Sequence, residues 1–306
     1  MSAIVSISVV NHLRIRRARA WLESRVLAEE VLIIGASLDA ANELSRTVVQ
    51  EKGAAFGWHR LTLPQLAAAI AAPVLAERKL VPLSRLGTEA IVARVVHRLK
   101  VEGGLGRYQP IGETPGFARA IAAVIAELRL ARLTCDAISK VAPDLVRLTE
   151  AYETALADAG LTDWPGVLAH ATETASGRVS VHRLVGLPML LLDVPIRSEA
   201  ELAFVDALAA LAPDTLATVP AADQPTLGRI REALRWKLEN LDGEPKMEDH
   251  VGLSARRFAE YLSLGQVPDA APGGVPPAAT ARGNRWVIPD PELVPAVPAV
   301  HDLRCG

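Results

Sequence analysis

Val31-Leu32-Ile33-Ile34, Met189-Leu190-Leu191-Leu192 and Leu216-Ala217-Thr218-Val219 are the three compact apolar runs that decide the fold class. None of them alternates apolar with polar residues, which is typical of strands that are covered on both faces of a sheet. Residues 4–10 form a fourth candidate strand. Since parallel sheets are usually covered on both faces, these runs predict a parallel sheet.

A helical pattern follows each of the three runs. Ser37 is placed to N-cap a helix after the first run, and Ser198 with Glu201 forms a capping box after the second. After the third run, an apolar stripe predicts one long helix that carries Leu227, Ile230, Leu234, Leu238 and Leu241. Repetition of strand and helix predicts an α/β fold.

Between residues 75 and 175 the pattern is helical only, with apolar stripes that predict helices around residues 91–99, 117–128 and 145–156. We therefore expect an α/β domain made of residues 1–74 and 179–241, interrupted by an all-helical insertion at residues 75–178. Residues 242–306 contain a predicted short helix at 254–264. Eight prolines follow between residues 266 and 306, which predicts an extended, loosely ordered C-terminal tail.

Composition narrows the classes of function. The net charge of −2 excludes a histone-like polycation, so a nucleic-acid surface must be local. Two cysteines, Cys135 and Cys305, are too few for a disulfide framework, a four-cysteine zinc site or a four-cysteine iron–sulfur cluster. No run reaches 18 apolar residues, and the apolar start lacks the preceding charges of a secretory signal. We expect a cytoplasmic protein with no membrane partner, metal or cofactor.

Parallel α/β domains often bind nucleotides, but the phosphate-loop motif G-x-x-x-x-G-K-[ST] is absent from this sequence. Asp193 ends a buried strand, where nucleotide-binding enzymes hold Mg²⁺. Val194 stands where catalytic forms carry a glutamate that activates water. Loss of a general base costs roughly 10²–10⁴-fold in rate, so we expect no turnover. Asp193 fits a simpler role equally well, which is to cap a turn before Pro195.

Motifs for hydrolysis are also missing: H-E-x-x-H, G-x-S-x-G and a paired C-x-x-C do not occur. Glu244-Pro245-Lys246 looks like a fragment of a PD-(D/E)xK nuclease motif, but no strand pattern surrounds it, so we assign it no chemistry. Five arginines fall within residues 14–25. They fit either a surface that meets an anion or a solvated helix face.

Several stretches occur in an order and spacing that point to one family. They are Glu30–Leu44, His59–Leu66, Pro82–Gly87, Pro115–Ala120, Gly160–Asp163, Leu191–Pro195 and Val219–Gln224. Glu30–Leu44 resembles motif Ia of UvrD-like helicases. Leu191–Pro195 lies where a Walker B motif belongs, and Val219–Gln224 resembles motif III. Over about residues 14–240, the chain resembles the N-terminal part of AddB-type proteins. These are the degenerate-helicase and PD-(D/E)XK nuclease subunits of bacterial helicase–nucleases for double-strand break repair.

The resemblance implies a P-loop NTPase-like (UvrD/RecA-like) α/β domain with a 1B-like helical insertion. It implies a non-catalytic helicase-like DNA-repair subunit, or a truncated remnant of one, that binds DNA, a partner helicase–nuclease subunit, or both, with single-stranded DNA bound weakly. It makes Asp193 a vestigial Walker B residue, and Asp223 and Gln224 vestigial motif III residues. The DNA-binding candidates are Arg14, Arg16, Arg17, Ser37, Arg46 and Arg60. Aromatic residues make up 4% of the chain, so such binding would be dominated by phosphate contacts.

Two departures and two alternatives accompany the resemblance. AddB-type proteins are several times longer and carry a nuclease domain that is missing here. Leu253–Pro268 resembles a segment from much later in such proteins, which makes residues 241–252 either the junction of an internal deletion or part of a shortened gene. An active ATPase or nuclease is one alternative, and the missing motifs argue against it. The other is a helical protein-interaction scaffold without nucleic-acid binding, which a near-neutral charge and Ala/Leu-rich helices allow.

Overall fold

The computed structural model describes residues 2–26, 28–177, 182–234 and 236–242. The strands are β1 (Ser2–Ser8), β2 (Val31–Gly35), β3 (Trp58–Thr62), β4 (Val81–Pro82), β5 (Leu161–Thr162), β6 (Met189–Leu192), β7 (Asp214–Pro220) and β8 (Lys237–Asn240). The α-helices are α1 (Asn11–Glu23), α2 (Leu38–Lys52), α3 (Leu63–Glu77), α4 (Arg85–Val101), α5 (Phe117–Leu130), α6 (Cys135–Ser139), α7 (Pro143–Asp158), α8 (Trp164–Ala175), α9 (Glu199–Leu211) and α10 (Gln224–Ala233). A 3₁₀ helix spans Gly106–Ile111. The predicted α/β class is confirmed.

Six strands form one sheet in the order β3-β2-β6-β7-β1-β8, and all five pairings are parallel. Helices α1 and α2 cover one face of this sheet, while α3, α8, α9 and α10 cover the other. Successive side chains of β2 and β6 therefore enter the apolar layers on opposite faces of the sheet, which together form the core of the sheet domain. This explains why these strands are continuously apolar, and it confirms the parallel sheet predicted from them.

A second hydrophobic core lies among the helices α4, α5, α6 and α7. Tyr152 and Leu148 are fully buried in it, and Phe117 is 8% exposed. Apolar side chains at helical spacing, as predicted around residues 91–99, 117–128 and 145–156, make up most of this core.

Two short strands flank the helical region, which we define as α4 to α7: β4 precedes it and β5 follows it. Strand β4 lies parallel to β5, so the expectation of helices alone between residues 75 and 175 is wrong at these two short strands. Helix α8 also falls within the predicted insertion, yet it packs on α3 and α9 in the core of the six-stranded sheet. The second core is therefore built from a shorter part of the chain than residues 75–178.

Helix starts follow the capping residues that the sequence contains. The Ser37 side chain accepts a hydrogen bond from the Ala40 amide at the start of α2. Ser198 and Glu201 form the capping box of α9 as predicted. Each cap satisfies backbone donors that the first helical turn leaves free, which fixes where the helix begins.

The long helix predicted over residues 227–241 is wrong. Helix α10 ends at Ala233, and residues 237–240 form β8 alongside β1. Leu238 therefore lies on an edge strand and is 44% exposed. Backbone pairing with a strand more than 200 residues away overrides the local helical spacing, because pairing partners are invisible in a local pattern.

Several predictions lie outside the described residues. They are the helix at 254–264, the nuclease-like fragment at 244–246, and the extended tail beyond Asp242.

Candidate functional site

The carboxyl ends of three adjacent strands bring the nucleotide-motif-like segments together. Strand β6 leads into Asp193, its neighbour β7 leads into residues 221–224, and β1 leads through Val9 and Val10 into α1. Because all strands are parallel, these segments meet at one side of the sheet, which we call the carboxyl edge. Open α/β sheets bind their ligands at this edge.

Arg14 lies directly beside Asp193 at the carboxyl edge. Its Nε donates to Asp193 Oδ1 at 3.0 Å, and its Nη2 donates to Asp193 Oδ2, also at 3.0 Å. Its Nη1 donates to the Ser8 carbonyl at 2.7 Å, and Nη2 also reaches Asn11 Oδ1 at 3.2 Å. The Arg14 side chain is 7% exposed and that of Asp193 is 20% exposed. Such two-point guanidinium–carboxylate contacts are strong and geometrically specific.

Strand β7 holds Asp193 from the other side. Thr218 Oγ1 donates to Asp193 Oδ1 at 2.8 Å, and the Asp193 amide donates to the Thr218 carbonyl at 3.1 Å. The backbone of Asp193 has φ +50°, a left-handed conformation that Asp tolerates better than most residues. Asp193 is thus the partner of a buried arginine, a role that neither interpretation of the sequence included.

This arrangement leaves little room for a bound metal ion. Both carboxylate oxygens of Asp193 already accept hydrogen bonds from Arg14. Within the described ranges, no three or more His, Cys, Asp or Glu side chains are grouped to hold a metal ion. Asp223 caps α10 by accepting from the Thr226 amide at 3.1 Å, and Gln224 Nε2 donates to the Ala221 carbonyl at 2.7 Å. These two motif III-like residues therefore serve local turn structure.

The five arginines within residues 14–25 do not form one open cationic surface. Apart from Arg14, three of them have acidic partners: Arg17 with Glu239, Arg19 with Glu23 and Glu51, and Arg25 with Glu29 and Asp214. Arg16 is exposed and has no ion pair among the residues that the structure describes. A role for Arg16 in binding phosphate stays a prediction.

The remaining DNA-binding candidates, Ser37, Arg46 and Arg60, lie apart from one another. Ser37 follows β2 at the carboxyl edge, where its side chain is used as a helix cap. Arg46 lies two turns along α2, where it pairs with Glu43 at 2.7 Å and lowers the pKa of that carboxyl below its usual value. Arg60 is exposed on the edge strand β3. A DNA-binding role for these residues stays a prediction.

Sequence reasoning missed Thr218, Ser8 and Asp242. The Ser8 hydroxyl donates to an Asp242 carboxylate oxygen, and the Val9 amide donates to the other oxygen at 3.2 Å. The sequence does contain a signal, because Ser6 and Ser8 are the polar residues of an otherwise apolar stretch, residues 3–10. Both serines are fully buried, and a buried hydroxyl requires a hydrogen-bonding partner.

Comparison of the chain with protein-family models and with curated proteins finds no match. None of the helices that the structure describes is long and apolar enough to cross a membrane. We therefore infer function from the side-chain contacts at the carboxyl edge.

Proposed function

We propose that this chain is a non-catalytic, helicase-like DNA-repair subunit, or a shortened remnant of one. In this proposal it belongs to a helicase–nuclease that acts on double-strand breaks, and it binds DNA, the partner helicase subunit, or both without hydrolysing nucleotide. The observation that carries the proposal is the contact between Arg14 and Asp193 at the carboxyl edge.

Topology supports descent from a nucleotide-binding domain. Arg14 and Asp193 are 179 residues apart in the chain, and the motif III-like segment follows a further strand. The fold nevertheless places all three at the ends of the neighbouring strands β1, β7 and β6. Convergence at that edge is expected where the segments once surrounded one ligand.

The same geometry supports the loss of catalysis. A magnesium–nucleotide complex would have to displace the Arg14 guanidinium from Asp193 to reach the carboxylate. This displacement would break the mostly buried ion pair between Arg14 and Asp193. Breaking such a pair costs about 3–5 kcal/mol. Val194 supplies no general base in place of the missing glutamate.

Nucleotide turnover and DNA binding test the proposal together. The purified chain is assayed for ATP hydrolysis with Mg²⁺, with and without single-stranded DNA, and its melting temperature is followed with added nucleotide. We expect no hydrolysis and no shift in melting temperature. Fluorescence anisotropy should show weak binding of single-stranded DNA, no tighter than about micromolar, that falls steeply with salt. DNA-stimulated hydrolysis that disappears in Asp193→Ala would contradict the proposal.

A protein-interaction scaffold is the second candidate, and the pairing of arginines with acidic residues favours it. The helical region also exposes large apolar side chains: Leu86 is 75% exposed, Val101 76% and Val141 83%. Exposed apolar side chains are more useful to a protein partner than to a phosphate backbone. Complete absence of salt-dependent DNA binding would favour this second function.

A further inference from the structure

The edge of β1 contains polar groups that an apolar core strand does not need. Ser6 and Ser8 are both fully buried in this strand, which lies between β7 and β8 in the sheet. A buried hydroxyl is costly unless it is hydrogen-bonded. Each of the two hydroxyls donates to a carboxylate of the segment that lies along the edge of β1, residues Lys237–Asp242, which we call the acidic segment. The Ser8 hydroxyl oxygen also accepts from the Val10 amide at 2.8 Å.

Glu239 provides the first contact. It lies opposite Ser6 in the register of β1 and β8, and its Oε2 accepts from the Ser6 hydroxyl at 2.7 Å and from Arg17 Nε at 3.0 Å. Burial alone would raise the pKa of Glu239, but the hydrogen bonds from Ser6 and Arg17 outweigh it and lower the pKa below its usual value. Ser6 and Arg17 therefore favour the charged form of the Glu239 carboxyl over the neutral acid.

Asp242 provides the second contact, three residues further along. Its two carboxylate oxygens accept from the Ser8 hydroxyl and from the Val9 amide. Together, Ser6, Arg17, Ser8 and the Val9 amide recognise two carboxylates with the spacing acidic-x-x-acidic. Recognition through charged acceptors is roughly twice as strong as through neutral ones.

Main-chain hydrogen bonds to β1 also hold the acidic segment, and they do not depend on apolar side chains. Residues Ile4–Ile7 pair in parallel with residues 237–240, and the Leu241 amide donates to the Ile7 carbonyl at 2.9 Å. Three of the four residues of β8 are exposed, and its single aliphatic side chain, Leu238, is 44% exposed. The acidic segment is therefore held mainly by main-chain hydrogen bonds and two carboxylates, which another extended segment of the same chemistry can supply.

We propose that the edge of β1 is a binding site for an extended acidic segment of a partner protein, and that Lys237–Asp242 fills this site within the chain. An incoming segment adds as a parallel strand and places its two carboxylates on Ser6 with Arg17 and on Ser8 with the Val9 amide. Addition of a strand to a sheet edge, with side-chain pockets for specificity, is a common mode of peptide recognition. The inference stands independently of the nucleotide argument, because neither Arg14 nor Asp193 takes part.

The test uses the full chain and weakens its own acidic segment. The double variant Glu239→Gln with Asp242→Asn is compared with the parent chain and with a matched control, Glu102→Gln with Asp158→Asn, whose side chains are exposed elsewhere. The probe is a fluorescein-labelled peptide with the sequence of Lys237–Asp242, followed by anisotropy. We expect it to bind the double variant about tenfold or more tightly than the parent or the control. A peptide with Gln and Asn in place of its two acidic residues should lose this binding.

Hydrogen exchange at residues 238–241 provides a second readout. In the double variant, the amides of this segment should exchange faster than in the control variant, because two carboxylate contacts are lost. Unchanged protection would show that the carboxylates do not hold the segment, and this outcome overturns the proposal. Equal binding of the acidic and amide peptides, or no binding to the double variant, overturns it as well.

Discussion

The side chains of Arg14 and Asp193 share two hydrogen bonds of 3.0 Å, although 179 residues separate them in the chain. The contact joins the first turn of α1 to the end of β6, across the intervening strand β7. Thr218 of that strand donates to the same carboxylate. The carboxyl edge is thus closed by groups that belong to the chain itself.

The first prediction concerns the stability that this contact provides. Arg14→Ala leaves the Asp193 carboxylate mostly buried without its cation, so the free energy of unfolding should fall by about 3–5 kcal/mol. Urea unfolding followed by circular dichroism measures the change. Replacement of both residues, Arg14→Met with Asp193→Asn, should cost less than Arg14→Ala, because no unpaired charge remains and Asn tolerates the left-handed backbone of residue 193.

Arg46→Ala is the matched control for that measurement. Arg46 also pairs with a carboxylate, but both side chains are more than 60% exposed. We expect no measurable change in the free energy of unfolding, since exposed ion pairs contribute little. Equal losses in Arg14→Ala and Arg46→Ala would show that the buried contact is not special.

The second prediction concerns single-stranded DNA. Arg16 is exposed and has no ion pair among the described residues, whereas Arg17 is bound to Glu239. Arg16→Ala should therefore flatten the dependence of the binding constant on salt by about one phosphate contact, and Arg17→Ala should change it less. Anisotropy titrations at several salt concentrations measure both slopes. Identical slopes for Arg16→Ala and the parent chain would assign Arg16 to simple solvation of the helix.

The sequence predicts the central strands well because burial on both faces leaves a local signal. Strands β2 and β6 contain no polar side chain, the centre of β7 is the run Leu216–Val219, and the positions of all three strands agree with prediction. The edge strands differ: β3 contains His59 and Arg60, and β8 contains Lys237 and Glu239. Their pairing depends on a partner strand distant in sequence, so composition and spacing cannot reveal it.

The same reasoning applies to the candidate site. The position of Asp193 after a buried strand is readable from the sequence, but its partner is not. Arg14 is one of five arginines in a short stretch, and nothing local separates the buried one from the exposed Arg16. The distinction arises from the helical phase of α1 against the sheet, which places Arg14 on the inner side.

The third prediction concerns the second core. Phe117 is 8% exposed, and its ring centroid lies 5.8 Å from that of Tyr108. Phe117→Ala removes a large apolar side chain and leaves a cavity, so we expect a loss of about 3–5 kcal/mol in the free energy of unfolding. Val124→Ala on the same helix, α5, is the control, because Val124 is 38% exposed. Chemical unfolding of the two variants should therefore give clearly different midpoints. Similar midpoints would show that Phe117 contributes no more to the stability of the second core than the partly exposed Val124.

The fourth prediction concerns the buried hydroxyl of Tyr152, which connects α7 in the second core to Asp163 at the start of α8. Tyr152 on α7 is fully buried and donates to Asp163 Oδ2 at 3.2 Å. Burial and the nearby Asp163 carboxylate raise the pKa of Tyr152 well above its usual value, so the phenol stays protonated as a donor. Tyr152→Phe should cost about 1–2 kcal/mol in the free energy of unfolding, which chemical unfolding measures. A neutral effect would mean that the Arg129 contact to Asp163 suffices alone.

The last prediction concerns pH and the acidic segment. The pKa of Glu239 is lower in the folded chain than its ordinary value of 4.5, because the hydrogen bonds from Ser6 and Arg17 outweigh burial. A carboxyl whose pKa falls on folding stabilises the fold above its unfolded pKa, and this stabilisation is lost as the pH falls through the folded pKa. Glu239→Gln should therefore be less stable than the parent chain near neutral pH, and the difference should shrink as the pH falls below about 4.5. Unfolding midpoints between pH 3 and 7 test this, with Glu232→Gln on the exposed side of α10 as the control. A difference that is constant over this range would show that the Glu239 contact does not depend on its charge.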